Sequence, residues 1–249
     1  GLIMSYSSEA KTTDKGQMHE GPTSTKMGLK GIPALAEELQ LIRDLQLCEY
    51  TEGKIHFSTI STATSVNLIR EAKAKGLNIS ADTSSYHLLL DDTKLESFNS
   101  NLKVKPPLRS TKDIEALKLG LKDGTLDAIC SDHYPQNIEN KKCEFNIADF
   151  GMINLETSFA VANTALNGLI ETNTIVEKFT SFPKAILGLD AQTIEEGNMA
   201  DLTIFDPSIK WTYLAKDIVS KSKNSPLIGK EFIGKAIAII NNGQISICN

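Results

Sequence analysis

Apolar positions along this chain switch repeatedly between the two-residue spacing of strands and the three-to-four-residue spacing of helices. Residues 2–5 (LIMS) form a short apolar run bounded by Ser and charge, which predicts a buried strand. Residues 34–48 carry Leu35, Leu39, Ile42, Leu45 and Leu47 near helical spacing, with Pro33 at the start, where proline is tolerated. A strand is expected at 54–58. A helix follows at 61–75, with Val66, Ile69 and Ala72 on one face and Gly76 as its stop. The next strand is expected at 77–83. Residues 111–122 form a helix with Ile114, Leu117, Leu119 and Leu121, and 126–131 a strand. A long apolar helix is expected at 153–169, then two short ones around 174–179 and 183–189. The Gly-, Ser- and Thr-rich stretch 14–30 reads as a loop.

Strand and helix alternate through four units, which implies a parallel sheet with crossover helices, an α/β class. Four such units make half of a (β/α)₈ barrel. After Asp190 the pattern changes to short alternating strands, ADLTIFD, EFIG, KAIAIIN and QISIC, with Asn242-Gly243 as a hairpin turn. The expected division is therefore a barrel-type part at 1–190 and a β module at 191–249.

Composition narrows the classes. A net charge of -5 argues against a general nucleic-acid or anionic-membrane surface, since either needs a basic excess. No apolar run approaches the length of a membrane span. Cys48, Cys130, Cys143 and Cys248 are scattered, with no C-x-x-C pair, which suits reduced thiols in the cytoplasm. The chain opens on an apolar segment without Met and reads as a piece of a longer polypeptide.

Candidate chemistry concentrates where AIC is followed by Asp132-His133, because barrel enzymes place catalytic groups at the C-terminal ends of strands. The plainer readings stand beside it. Asp132 is either a working base or a hydrogen-bonded remnant. His133 is expected to hold its loop, and His56 to be a non-ligand on the side of Ser58. His87 is expected to be structural. His19 is expected to be solvated, as is the charged stretch 140–142. Asp91-Asp92 reads as a helix N-terminus rather than a cation site. Gly151 and Gly188 are turn or packing positions.

Three stretches carry a resemblance. They are KVKPPLRS with DGTLDAICSDHYP beyond it, EFNIADFGMINLET at 144–157, and EEGNMADLTIFDP with SKSKNSPLIGKEFIGK. On these residues the chain resembles the dihydroorotases of the amidohydrolase superfamily, and looks like their C-terminal part. The resemblance implies barrel strands five to eight plus a small β-sandwich module. It also implies a binuclear zinc site whose bound water opens or closes the dihydroorotate ring, with an Asp as general acid/base. Zinc lowers the pKa of bound water to about 7.

By the same resemblance, the zinc His positions are occupied here by Tyr6 and Thr59. Asp132 is retained as the general acid/base, and two substrate-binding positions are occupied by Lys105 and Gln136. Tyrosine, with a pKa near 10, and neutral threonine are poor zinc ligands. The leading expectation is therefore a catalytically silent homologue without a metal, a homo-oligomer that also serves as a structural partner, for example of aspartate transcarbamoylase. The rest of the polypeptide would be a further partner. A second reading is an active zinc-dependent dihydroorotase whose remaining ligands lie elsewhere in the polypeptide. A third is a fragment with no function of its own.

Overall fold

Alternation of the kind read above does build a parallel sheet. The computed structural model describes residues 1–190 and 193–248. The first strand, β1, is Leu2–Tyr6, followed by a short helix α1 at Ala10–Thr13. The stretch expected to be a loop instead contains β2 (Met18–His19) and α2 (Pro22–Met27), and β3 (Gly31–Ile32) pairs with β2 in parallel. Gly16 permits this approach, since a side chain there would sit 2.7 Å from the Gly31 carbonyl oxygen. Then come α3 (Leu35–Thr51), β4 (Lys54–Ser58), α4 (Ala63–Ala74), β5 (Ile79–Ser84), α5 (Thr111–Asp123), β6 (Ala128–Cys130), α6 (Ile138–Lys141), α7 (Ser158–Leu166), α8 (Thr172–Phe179) and α9 (Ser181–Leu187). The sheet order is β1-β4-β5-β6, every pair parallel.

Side-chain caps set the helix starts near this sheet. Thr62 accepts from the Ser65 N–H at 3.1 Å to begin α4, and Ser110 and Asp113 form a reciprocal capping box on α5. One continuous core runs under the sheet, from Leu41 and Leu45 on α3 through Phe57, Ile69 and Leu117 to Leu166.

Three expectations change. β1 is not buried: Ile3 is 63% exposed and Met4 58%, because β1 is an edge strand left uncovered, unlike the other edge, β6, against which α8 packs. On α3 the buried positions are Ala36, Glu37, Leu41, Asp44, Leu45 and Cys48, so Leu35, Leu39, Ile42 and Leu47 lie on the exposed side. The helix is apolar on two faces, and of the five leucines and isoleucines expected from sequence only Leu45 lies on the covered one. The helix expected at 153–169 begins only at Ser158. Before it, Asn154 accepts from the Thr157 side chain at 2.9 Å and donates to the Ser131 carbonyl at 2.8 Å, and these bonds compete with helical pairing.

The C-terminal segment forms one antiparallel sheet, β7 (Leu202–Thr212), β8 (Glu231–Asn241) and β9 (Gln244–Ile247), and no second layer is formed among the described residues. EFIG and KAIAIIN are a single strand. Gly234 does not end it; a side chain there would lie 2.8 Å from the Asn163 amide of α7, so the glycine marks close packing. Asn242 and Gly243 both take positive φ, 49° and 74°, as a two-residue hairpin turn requires. The sheet is docked on the α/β part: Asn163 donates to the Ile233 carbonyl at 2.8 Å, and Phe232 and Tyr213 join a second core with Tyr86, Leu108 and Val161. The expected boundary after residue 190 falls beside residues 191 and 192, which lie outside the described ones. The four cysteines are free thiols.

Candidate functional site

Strands of a parallel sheet end together, so the residues just past their C-termini converge. Tyr6 ends β1, Thr59 follows β4, Ser85 follows β5 and Asp132 lies two residues beyond β6. A cavity of about 500 Å³ opens there, lined by Tyr6, Lys105, Asp132, Tyr134, Gln136, Asp149, Phe150 and Gly151. Four positions singled out from the sequence thus meet on one surface. The fifth, Thr59, is buried and does not line that cavity.

Asp132 sits on a backbone of φ +44° and Thr59 on one of φ +57°, both in the left-handed region that disfavours side chains, most of all a β-branched one. Such strain persists only where the surroundings over-determine it. Thr59 donates its N–H to Asp82 at 2.7 Å, and its hydroxyl lies 3.8 Å from the Cys130 sulfur. Asp132 accepts a short hydrogen bond from the fully buried Tyr86 phenol. Burial raises the Asp132 carboxyl above the usual carboxylate range; the Tyr86 bond works in the opposite direction, and the nearby Asp82 carboxylate adds to the rise. Tyr6 is 43% exposed, but the partial burial of its phenol and the neighbouring Asp132 push its pKa upward, so Tyr6 offers a neutral hydroxyl.

Each histidine is engaged. His56 is buried, with Nδ1 2.8 Å from Ser80 and Nε2 2.9 Å from Asp82. His133 Nδ1 accepts the N–H groups of Asn154 and Leu155, each at 3.1 Å, which ties its loop to the segment that precedes α7. His87 is 1% exposed, between Ser84 and the Pro106 carbonyl, and burial with the Arg109 charge lowers its pKa to about 4. His19 is not the solvated residue expected. It is half-buried on β2, 3.1 Å from Arg109, and burial lowers its pKa. Asp91 does cap a short 3₁₀ turn, accepting from the Thr93 N–H at 2.9 Å.

Sequence reasoning missed the groups that hold this mouth in shape. Arg109, 2% exposed, bonds the Ser61 hydroxyl at 3.0 Å and pairs with Glu37 at 3.6 Å. Glu37 in turn receives the Ser61 and Thr62 N–H groups at 3.0 and 3.1 Å. Lys103 is also fully buried, its ammonium donating to the carbonyls of Phe145 and Ala148 at 2.8 and 2.6 Å, so it anchors the loop that forms one cavity wall. Lys141, expected to be solvated, is buried against the Asp149 carbonyl at 2.7 Å, with its pKa lowered to about 8, mainly by burial. Gly151 packs against Tyr134 at φ +125°, where a side chain would sit 2.8 Å from the Tyr134 carbonyl oxygen.

The zinc implied by the resemblance finds a poor donor set. Tyr6 presents a neutral phenol, Thr59 a buried alcohol, and both His56 nitrogens are taken by Ser80 and Asp82. Among the described residues, no three His, Cys, Asp or Glu side chains come together in a metal-holding arrangement. The residues present do not fit a zinc centre by themselves.

The amidohydrolase family pattern matches residues 9–243, nearly the whole chain. The chain belongs to the amidohydrolase family. Among curated members, it is 41% identical over 245 residues to a protein named dihydroorotase from Geotalea daltonii, covering 98% of this chain and 58% of that protein. It is 44% identical over 235 residues to a dihydroorotase from Ruminiclostridium cellulolyticum, covering 94% and 55%. This amidohydrolase chain thus spans little more than half the length of the relatives it matches. The crystal structure of dihydropyrimidinase from Brevibacillus agri shares its fold, with a TM-score of 0.87 and 24% identity over all of this chain and 57% of that one. No helix among the described residues is long and apolar enough to cross a membrane.

Proposed function

We propose that this chain is the C-terminal part of a dihydroorotase-type protein of pyrimidine biosynthesis that keeps the scaffold and has lost the metal chemistry. Strands β1, β4, β5 and β6 correspond, on this reading, to the second half of a (β/α)₈ barrel, and the C-terminal sheet to part of a β-sandwich module. Its work is structural, as a partner of aspartate transcarbamoylase. The observation that carries the reading is the donor set at the strand ends: a neutral Tyr6 and a buried Thr59 alcohol around one retained carboxylate. Lys105 supports it, because it brings a cation into the cavity where the resembled enzymes offer an amide.

Hydrolysis of dihydroorotate by the full-length gene product, with zinc added, tests this. No turnover from demonstrably folded protein is the expected result. Clear turnover overturns the reading.

A second reading has one observation in its favour: Asp132 lines the cavity and is held by Tyr86, as an acid/base group needs to be. In that case the rest of the polypeptide supplies the metal ligands, and Thr59→His changes turnover little. A large gain of activity in Thr59→His shows instead that the natural site is disabled.

A further inference from the structure

A second cleft, of about 630 Å³, shares Gln136 with the candidate cavity and has a different character. Lys141, Lys142, Lys221 and Lys223 line it against a single acidic residue, Glu139, a formal +3 in a chain whose net charge is -5. None of these four lysines enters a salt bridge among the described residues. Lys141 is buried on the Asp149 carbonyl and contributes charge alone, and Lys223 spends one bond on the Ile218 carbonyl at 2.6 Å. Lys142 and Lys221 present exposed ammonium groups. The two lysine-bearing segments are fixed relative to each other. Asn224, buried beside Lys223, donates to the carbonyls of Tyr134 and Gly151, each at 3.2 Å, and accepts the Gln136 N–H at the same distance.

The remaining wall is neither basic nor plainly apolar. Asn101 and Asn137 add amides, which both donate and accept hydrogen bonds. Phe98, 52% exposed, stands at the rim on a backbone of φ +54° that closes the preceding 3₁₀ turn. A half-exposed aromatic ring, packed edge-to-face with Phe145, neutral amides and lysines without salt-bridge partners among the described residues answer the three parts of one kind of molecule. The aromatic ring suits a flat base, the amides suit its edge, and compact ammonium groups suit phosphates. The volume lies within the range of about 300–1,000 Å³ usual for small-molecule sites.

We propose that this cleft binds a nucleoside polyphosphate, with its phosphates among Lys142, Lys221 and Lys223 and its base against Phe98. The site adjoins the candidate cavity at Gln136 and stands whether or not that cavity is silent.

Calorimetric titration of the full chain at moderate salt, without added metal ion, tests it with ATP, tripolyphosphate and adenosine. ATP is expected to bind in the micromolar range, tripolyphosphate more weakly, and adenosine not measurably. Lys142→Gln with Lys221→Gln, both on exposed side chains, is expected to weaken ATP about tenfold. Phe98→Ala is expected to remove the advantage of ATP over tripolyphosphate. Absence of ATP binding at millimolar concentration, in protein that unfolds cooperatively, overturns the proposal. So does ATP binding that is unchanged in the lysine double variant, or equal affinity for ATP and tripolyphosphate in the natural chain. Loss of ATP binding in Lys105→Gln, with the lysine double variant unaffected, places the ligand in the candidate cavity and also overturns it.

Discussion

Strands β1 and β5 belong to the same parallel sheet and invert the usual relation between polarity and burial. β5, ISADTS, is mostly polar, yet all six residues are buried. β1, LIMSY, is mostly apolar, yet Ile3, Met4 and Tyr6 are exposed. What covers each strand explains both. β5 lies between two strands, and each polar group on it has a partner: Asp82 takes the His56 ring and the Thr59 N–H, Thr83 donates to the Ile60 carbonyl at 2.8 Å, and Ser84 meets His87 at 2.6 Å. β1 has a neighbour on one side only, and α3 beside it turns Leu47 outward as well. The polar strand is interior to the sheet, and its hydrogen-bonded groups lie beneath the candidate site. The apolar edge is an uncovered face.

Substitutions can break this contrast. The largest expected effect is Glu37→Ala, which leaves the buried Arg109 guanidinium without its carboxylate. A loss of about 3–5 kcal/mol in urea unfolding is expected. Next is the pH dependence carried by His87. Its folded pKa of about 4 lies below the ordinary 6.5, so between those values the unfolded chain binds a proton that the folded chain does not. Stability should therefore rise with pH through this window and fall as pH drops, by up to about 3 kcal/mol. His87→Asn should flatten that slope, whatever it does to absolute stability.

A smaller effect of opposite sign is expected at Thr59→Gly. The left-handed backbone favours glycine there, and relief of strain should raise the urea midpoint by the equivalent of about 1 kcal/mol. Weaker stability after this change would show that the Thr59 side chain has a supporting role. The smallest effect should come from Met4→Ala on the exposed edge, within about 0.5 kcal/mol in the chain by itself. A much larger cost in the full-length polypeptide than in this chain would show that the edge is covered there.

Much of this could be read from the sequence, for identifiable reasons. The strand at 54–58 is where the sequence places it, and the helices near 63–74 and 111–123 stand out because apolar spacing, a capping residue and a following Gly agree at each. Tyr6, Lys105, Asp132 and Gln136 do converge, since strand ends in a parallel sheet share one side. What spacing could not show is which apolar face of α3 is covered, because both faces satisfy the helical period. Nor could it show Arg109, Glu37 and Lys103, whose charged side chains are buried by partners far away in the sequence, or Lys141, which turns in onto the Asp149 carbonyl of its own loop. A trace of Glu37 was available. It shares the inward spacing of Leu41, Asp44, Leu45 and Cys48, which becomes visible once the inner face is chosen.

The proposed loss of metal chemistry at the strand-end cavity is open to a direct assay: zinc content of the full-length protein after saturation with zinc and removal of the excess. Well under one tightly bound zinc per chain is expected. Two zinc ions per chain, retained through dialysis, would overturn the proposed loss.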